Sequence, residues 1–478
     1  MRLILPFLLN SLLNFAVGLL VAKALGPSEY GRFMLALAIA VVVQTLVFDW
    51  LRLAATRFYS ERDRRERPQI RATLDSAFAA LAAVAVVLAL AIWTLRPALP
   101  IASDLAALAI GVSLANALFD FATAIVRARF QDRAYAVLVI AKNSLALLLT
   151  VGGAFLFHSA KVALVGMMIS VAGCLVAGRR TLMEPDTGFG RSEGALMRRF
   201  LAYGLPIIFA AVLYQLVPLA NRTLLSHVDG FAQVGLLSLA FETGVRIVGA
   251  IGSAIDVVLF QIAVRAEQTD GAEAARAQIS RNLGAVFAIV LPAVAGAWLI
   301  LPSFEALFVP ESFRGAYGRY FTLMTPGLFA FAMMNYGVNT AFQLAHRLTP
   351  LVLAAFIAFF ADFLALALLP PTADATRFAL AQSISSMSGL VALVAMLFLL
   401  EPMWPRARDI LGAAAATGAM LATGLVLRGL PPGATTLALQ IGMGAAIYAA
   451  LAYALDVAGL RGVARARLSE EQSRLENV

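Results

Sequence analysis

Residues 31–56 read GRFMLALAIAVVVQTLVFDWLRLAAT. Between Arg32 and Asp49 no charge interrupts the run, and the stretch is long enough to cross a bilayer, which takes about 20 residues of helix. Asp49 and Arg52 nevertheless stand inside it. A charge at the bilayer centre costs roughly 2.5–3.5 kcal/mol even on the gentlest scale. Thr45, Asp49, Arg52, Thr56 and Tyr59 follow 4-3-4-3 spacing, so they share one helix face. A helix that is apolar around most of its girth and charged along one stripe belongs in lipid, with the stripe turned toward a polar enclosure.

Working outward, the same pattern returns. Fourteen apolar segments can each cross once: 3–25, 31–56, 73–94, 105–126, 134–157, 162–176, 200–226, 231–260, 283–301, 320–344, 351–369, 378–400, 410–427 and 437–455. The fourth carries Ser113, Asn116, Asp120, Thr123 and Arg127 at 3-4-3-4 spacing. The eighth carries Glu242, Arg246, Gly249, Ser253 and Asp256, and the tenth Asn335, Asn339 and Gln343. Asn10 and Asn14 join from the first, Lys142, Asn143 and Ser144 from the fifth, Tyr214, Gln215, Asn221 and Arg222 from the seventh, and Asp362 from the eleventh. The third, sixth, ninth, thirteenth and fourteenth lack mid-span charge and read as outer helices. Structural readings stand beside the functional one. Asp49–Arg52 and Glu242–Arg246 can be ion pairs that only tie helices. The amides can be interhelical bonds of about 0.6 kcal/mol each, and Lys142 and Arg222 can snorkel.

Composition agrees with lipid as the main solvent. The 478 residues are 61% hydrophobic and 14% charged, against about 25% charged in soluble domains. The net charge of +9 does not signal nucleic acid, because the positives collect in short loops. With the N-terminus inside, 25 of the 37 basic residues fall in cytoplasmic segments, 8 on the other side and 4 within the membrane. The positive-inside rule then places both termini in the cytoplasm. Ala22-Lys23-Ala24 resembles a signal-peptidase site, but the run before it is too long for a signal peptide and reads as the first crossing. One cysteine, Cys174, and three scattered histidines exclude a disulfide framework and metal-ligand spacing. No cofactor motif and no Ser/His/Asp or Cys/His constellation is present, so the chain reads as a non-enzyme.

The chain repeats itself. YGRFMLA at 30–36 and VGLLSLA at 234–240 lie 204 residues apart, with six crossings between them, which preserves orientation. The expected architecture is an all-α integral membrane protein of two six-helix lobes in parallel pseudo-twofold repeat around a central cavity. The lobes span 1–178 and 199–402, joined by a linker at 179–198. Helices thirteen and fourteen follow at 403–458. A cytoplasmic tail at 459–478 has Arg467, Glu470, Glu471 and Arg474 at helical spacing. The four mid-span bases, Arg52, Lys142, Arg222 and Arg246, suit a diphosphate. Asn, Gln, Ser and Tyr suit sugar hydroxyls. Five mid-span acids against four bases leave the sign of the cargo open.

Val21-Ala22-Lys23-Ala24-Leu25-Gly26-Pro27-Ser28-Glu29-Tyr30-Gly31, Phe48-Asp49-Trp50-Leu51-Arg52 and Arg57-Phe58 resemble the opening of bacterial polysaccharide-biosynthesis flippases. These are the O-antigen and exopolysaccharide lipid-carrier flippases of the multidrug/oligosaccharidyl-lipid/polysaccharide superfamily. Arg127-Ala128-Arg129-Phe130-Gln131 and Asn221-Arg222-Thr223-Leu224-Leu225 through Gly235 are similar to that family too, with Asn221 where the family often has an acid. The resemblance implies two lobes in a V that opens alternately to each side of the cytoplasmic (inner) membrane. It implies an undecaprenyl-diphosphate-linked oligosaccharide as cargo, surrounded by membrane lipids and served by polysaccharide assembly proteins. The expected substrate-binding set is Arg52, Lys142, Arg222, Arg246, Asp49, Asn116, Asp120, Glu242, Asn335, Asn339 and Gln343. Three rivals stay open. A drug/cation antiporter of the same superfamily wants an acidic cavity, and the first helix here has no acid. A lipid-linked peptidoglycan-precursor flippase shares the fold. A membrane glycan polymerase or ligase would be expected to carry a large outward loop.

Overall fold

The computed structural model describes residues 4–60, 66–98, 101–183, 190–345, 347–400 and 403–462, with the backbone alone described at 4–12, 253–258, 260 and 272. The expected tail helix at Arg467–Arg474 and the side chains of Asn10, Ser253 and Asp256 lie outside the described residues. No strand occurs among the described residues. The helices are α1 Ile4–Val47, α2 Asp49–Phe58, α3 Pro68–Leu95, α4 Ser103–Ala128, α5 Asp132–Phe157, α6 Ala160–Ala177, α7 Gly194–Val228 and α8 Gly230–Asp270. They continue with α9 Ala272–Leu299, α10 Leu301–Phe308, α11 Ala316–Met333, α12 Asn339–Leu344, α13 Thr349–Leu368, α14 Thr376–Leu400, α15 Ala407–Leu427 and α16 Ala434–Ala454.

Twelve of the described helices are long and apolar enough to cross a membrane, which makes this a multi-pass membrane protein. The first of them is two crossings. Gly26, at φ +69° and ψ 172°, breaks α1 ahead of Pro27. The segment from α11 through α12 adds another, interrupted by a π-helical turn at Met334–Val338. The fourteen expected crossings are thereby accounted for.

The chain forms two compact units. The first comprises Met1–Leu239 with Leu366–Phe378, and the second Ala240–Ala365 with Ala379–Val478. The division falls inside α8.

In the first unit the second crossing is not one helix, as its apolar run suggests. The chain turns at Phe48 and restarts as α2. Asp49 sits in the first turn of α2, where a carboxylate is favoured by the helix dipole, and Trp50 Nε1 donates to the Val47 carbonyl at 2.9 Å. Leu51, Ala54 and Ala55 are fully buried. Aromatic rings surround them: Phe48 packs on Phe78 at 5.5 Å, and Phe78 on Phe121 at 5.0 Å. α2 is therefore a short, firmly seated platform. α3 exposes Val84, Val87, Leu88 and Leu90, as an outer helix should.

The 204-residue repeat is written into the backbone. Gly26 and Gly230 both have left-handed φ, +69° and +82°. Five residues on, Gly31 and Gly235 meet across a close contact. A Cβ on Gly31 would lie 1.9 Å from the Phe231 carbonyl oxygen, and one on Gly235 would lie 2.0 Å from that of Pro27. Residue 231 is residue 27 advanced by 204, so the two contacts are reciprocal, as a local twofold requires. Only glycine admits such an approach.

In the second unit, Tyr336 within the π turn lies over α8: a Cβ on Gly252 would be 2.1 Å from the Tyr336 ring, and the hydroxyl approaches Gly249. α9 is not the free outer helix expected. Ala288, Ala413, Ala452 and Val457 form a common buried cluster, and the Tyr448 hydroxyl donates to the Ala288 carbonyl. Small residues on α9 let α15 and α16 cover it.

Candidate functional site

Four of the expected site residues gather in the first unit. Arg52 Nε lies 3.3 Å from Asp49 Oδ1, one turn away on α2, with the arginine side chain 43% exposed and the aspartate 17%. On α4, Asp120 accepts a 2.8 Å hydrogen bond from Gln44 Nε2 of α1. Asp120 also feels the charges of Lys142, Arg52 and Asp49. Lys142 of α5 places its ammonium 4.6 Å from the centroid of the Phe119 ring, a cation–π contact that offsets part of its desolvation. Asn116 stands one turn before Asp120 and is half-buried. Two acids and two bases thus share one neighbourhood inside the span. Among the described residues Arg52 has one carboxylate contact, and Lys142 rests on a ring face within reach of the Asp120 charge.

The other expected residues are placed elsewhere. Arg222 belongs to the first unit but is 6% exposed, and its Nη1 points to the Met34 carbonyl at 3.5 Å. Met34 and Gln44 are ten residues apart on α1, about 15 Å at helical rise. Arg222 therefore packs well away from the Gln44–Asp120 contact. Glu242 and Arg246 lie on α8 in the second unit, both half-buried and one turn apart. Asn335 is exposed and donates back to the Phe331 carbonyl of its own helix at 2.8 Å. Asn339 is half-buried, and its Oδ1 has no hydrogen-bond partner among the described residues. Gln343 is exposed at the end of α12. Asp362 is fully buried within α13.

Two threonine hydroxyls of the stripes behave differently from the charges. Thr56 Oγ1 donates to Leu53 O at 2.9 Å, and Thr123 Oγ1 to Phe119 O at 2.8 Å. They satisfy themselves on their own helices. Two residues that contact the cluster, Gln44 and Phe119, escaped the spacing argument. The helix is interrupted at Phe48, and before it Gln44 meets Asp120 while Thr45, the residue spaced with Asp49, is buried. Phe119 carries no polar signal at all.

The family described as polysaccharide biosynthesis protein matches residues 2–266, more than half of the chain. The chain belongs to that family. No curated protein matches the sequence. Among solved structures, this family member is similar to the lipid II flippase MurJ in an inward closed conformation, with a TM-score of 0.72 and 14% identity over 95% of this chain and 98% of that one. It is also similar to a multidrug resistance MATE family transporter of the MOP superfamily in two states. The inward-facing conformation matches with a TM-score of 0.58 and 16% identity over 87% of this chain and 96% of that one. The outward-facing conformation matches with a TM-score of 0.53 and 16% identity over 88% and 96%. At these identities the likeness establishes the fold, which this polysaccharide biosynthesis protein shares along nearly its whole length.

Proposed function

We propose that the protein is a flippase that moves an undecaprenyl-diphosphate-linked oligosaccharide from the inner to the outer leaflet of the bacterial cytoplasmic membrane. It serves cell-surface polysaccharide synthesis and has both termini in the cytoplasm. The cluster of Asp49, Arg52, Asp120 and Lys142 carries this reading. With no cargo the cluster is internally compensated, so it places no net charge in the membrane. A diphosphate at about 4 Å gains roughly 4 kcal/mol per cation at an effective dielectric near 20, before desolvation. Arg52 then exchanges Asp49 for a phosphate oxygen, and its planar fork binds two oxygens at once. Lys142 leaves the Phe119 face for the same ligand. Arg222 and Arg246 are secondary candidates for an anionic part of the cargo, each within its own unit, with Glu242 one turn before Arg246. Asn116, Asn339 and Gln343 offer amides to sugar hydroxyls. Rocking of one lobe against the other supplies alternating access. The work is binding and motion, without a covalent step.

Family membership and fold support the reading, and the fold match to the lipid II flippase favours a second one, a lipid-linked peptidoglycan precursor as cargo. Complementation separates them. In cells lacking the native protein, Arg52→Ala should abolish surface glycan at normal membrane abundance. Arg52→Lys should restore it in part, because the charge returns without the fork. Full export by Arg52→Ala would sink the assignment. Rescue of cells depleted of their peptidoglycan-precursor flippase, without an effect on surface glycan, would favour the second cargo.

A further inference from the structure

We propose that a cavity at the Gly31–Phe231 end of the first unit is a binding vestibule for neutral sugar, receiving the uncharged glycan part of the cargo. The proposal rests on the flippase reading above. By the loop-charge asymmetry this end is the outward one.

The cavity holds about 740 Å³, within the ~300–1,000 Å³ usual for small-ligand sites. Several separate stretches of chain wall it: Glu29 and Arg32, Pro97 and Ala98, Ile101 to Ser103 with Leu105, His158 to Lys161, and Phe231. Its charged groups are already matched. Glu29 pairs with Arg32 and also accepts the Ala160 N–H at 2.9 Å. Lys161 pairs with Asp104. His158 Nδ1 lies 2.8 Å from the Ala24 carbonyl, and Ser103 Oγ donates to the Pro97 carbonyl at 3.1 Å. These ties fix the wall in place before any ligand arrives, which cuts the ordering cost of binding.

The matching decides the ligand class. An anion entering here meets cations that each have a carboxylate beside them, and a metal ion meets carboxylates that each have a cation. A neutral polyol needs no net charge. Its hydroxyls donate to the outer lone pairs of Glu29 and Asp104 and accept from the remaining N–H groups of Arg32 and Lys161. Phe231 completes the pattern. The Arg32 guanidinium lies 5.2 Å from the ring centroid, and the ring lines the cavity, giving the apolar face of a sugar something to rest on. The carbonyl of the same Phe231 forms the close approach to Gly31, so the ring is anchored to the point where the two repeats touch.

The test uses Phe231→Trp in the purified full-length protein, which puts an indole on the wall. The four native tryptophans, Trp50, Trp93, Trp298 and Trp404, are not among the lining residues. The probes are lactose, maltose, cellobiose and diacetylchitobiose, with inorganic phosphate and pyrophosphate as anion controls. At least one disaccharide should give a saturable fluorescence change with a Kd of about 1 mM. Glu29→Gln with Arg32→Gln in the same background should weaken it by about tenfold or more, and Lys161→Gln, which leaves the Glu29–Arg32 side intact, should weaken it too. Phosphate and pyrophosphate should give no response. Arg52→Ala should leave the sugar response unchanged, because Arg52 is absent from the cavity. No saturable response to any of the four sugars overturns the proposal. So does a response that survives all the wall substitutions, or one to pyrophosphate alone. Sugar binding together with full export by Arg52→Ala would instead overturn the diphosphate assignment and leave the vestibule standing.

Discussion

The stretch after Gly26 and the stretch after Gly230 open in the same way and then part company. Each begins with a left-handed glycine, and each presents, five residues later, a glycine that lets the other's backbone come close. Beyond that the first stops at Val47 and restarts as α2, with Asp49 and Arg52 on its platform. The second runs unbroken to Asp270 and carries Glu242 and Arg246 in its first half. Advanced by 204, Asp49 falls on Ser253 and Arg52 on Asp256, while Glu242 and Arg246 fall on Ala38 and Val42. The repeat has kept the geometry of the meeting point, but its charges differ: Arg52 faces a register position of opposite sign at Asp256, and Asp49, Glu242 and Arg246 have no charged counterpart. Under the proposed function, this divergence would keep a charged end of the cargo apart from a neutral one.

The most damaging way to break the shared half is to add one methyl at the meeting point. Gly31→Ala and Gly235→Ala each drive a Cβ to about 2 Å from a backbone carbonyl. Backbone has no far end to swing away, so the helices must separate. Overpacking of this kind costs roughly 1–3 kcal/mol. Because the contacts are reciprocal, the two variants should lower the thermal midpoint of the solubilised protein by similar amounts. Both should lose export. A large shift in one and none in the other would mean that the reciprocity has no energetic counterpart.

A smaller effect is expected at the left-handed glycines. No atom lies within 4 Å of a Cβ built on Gly26 or Gly230, so only backbone strain opposes substitution. Gly26→Ala and Gly230→Ala should each cost about 1–2 kcal/mol. Gly26→Asn and Gly230→Asn should cost less, since asparagine visits that region more readily. Thermal unfolding of the four variants checks the order. Asparagine as harmful as alanine would point to lost space rather than strain.

The sequence makes the lipid setting, the crossings and the charge-bearing stripes legible, because apolar length and 3.6-residue spacing are direct consequences of burying a helix in hydrocarbon. Gly31 and Gly235 stand out in the alignment of the repeat. Their contact does not, since a backbone approach leaves no trace beyond the glycine itself. Local irregularities hide what remains. The turn at Phe48 sits in an apolar run with no glycine or proline to mark it, and Gln44 rather than Thr45 meets Asp120. The π turn at Met334–Val338 likewise shifts the phase between Asn335 and Asn339. Arg222 reads as a mid-span base, yet its packing against Met34 depends on which helix neighbours α7, and that is a tertiary fact. Phe119 under Lys142 is indistinguishable in sequence from any core phenylalanine.

That phase shift supplies the finest division within the second unit. A regular helix would put Asn335 and Asn339 on one face at i, i+4 spacing, with equal claims to a role. The π turn separates them. Asn335 is exposed and spends its amide on its own helix, whereas Asn339 is half-buried with an acceptor unused among the described residues. Asn335→Ala should therefore change stability by less than about 0.5 kcal/mol, as surface substitutions usually do, and leave export unchanged. Asn339→Leu removes a buried acceptor with no partner, a change that tends to be neutral or stabilising. If the amide is kept for sugar hydroxyls, export should fall several-fold while the thermal midpoint holds or rises. Opposite signs in the two assays are what a binding role demands and an interhelical tie cannot give. A loss of stability with Asn339→Leu would make that amide a structural bond. A loss of export with Asn335→Ala would show that the working face of this segment ignores the π turn.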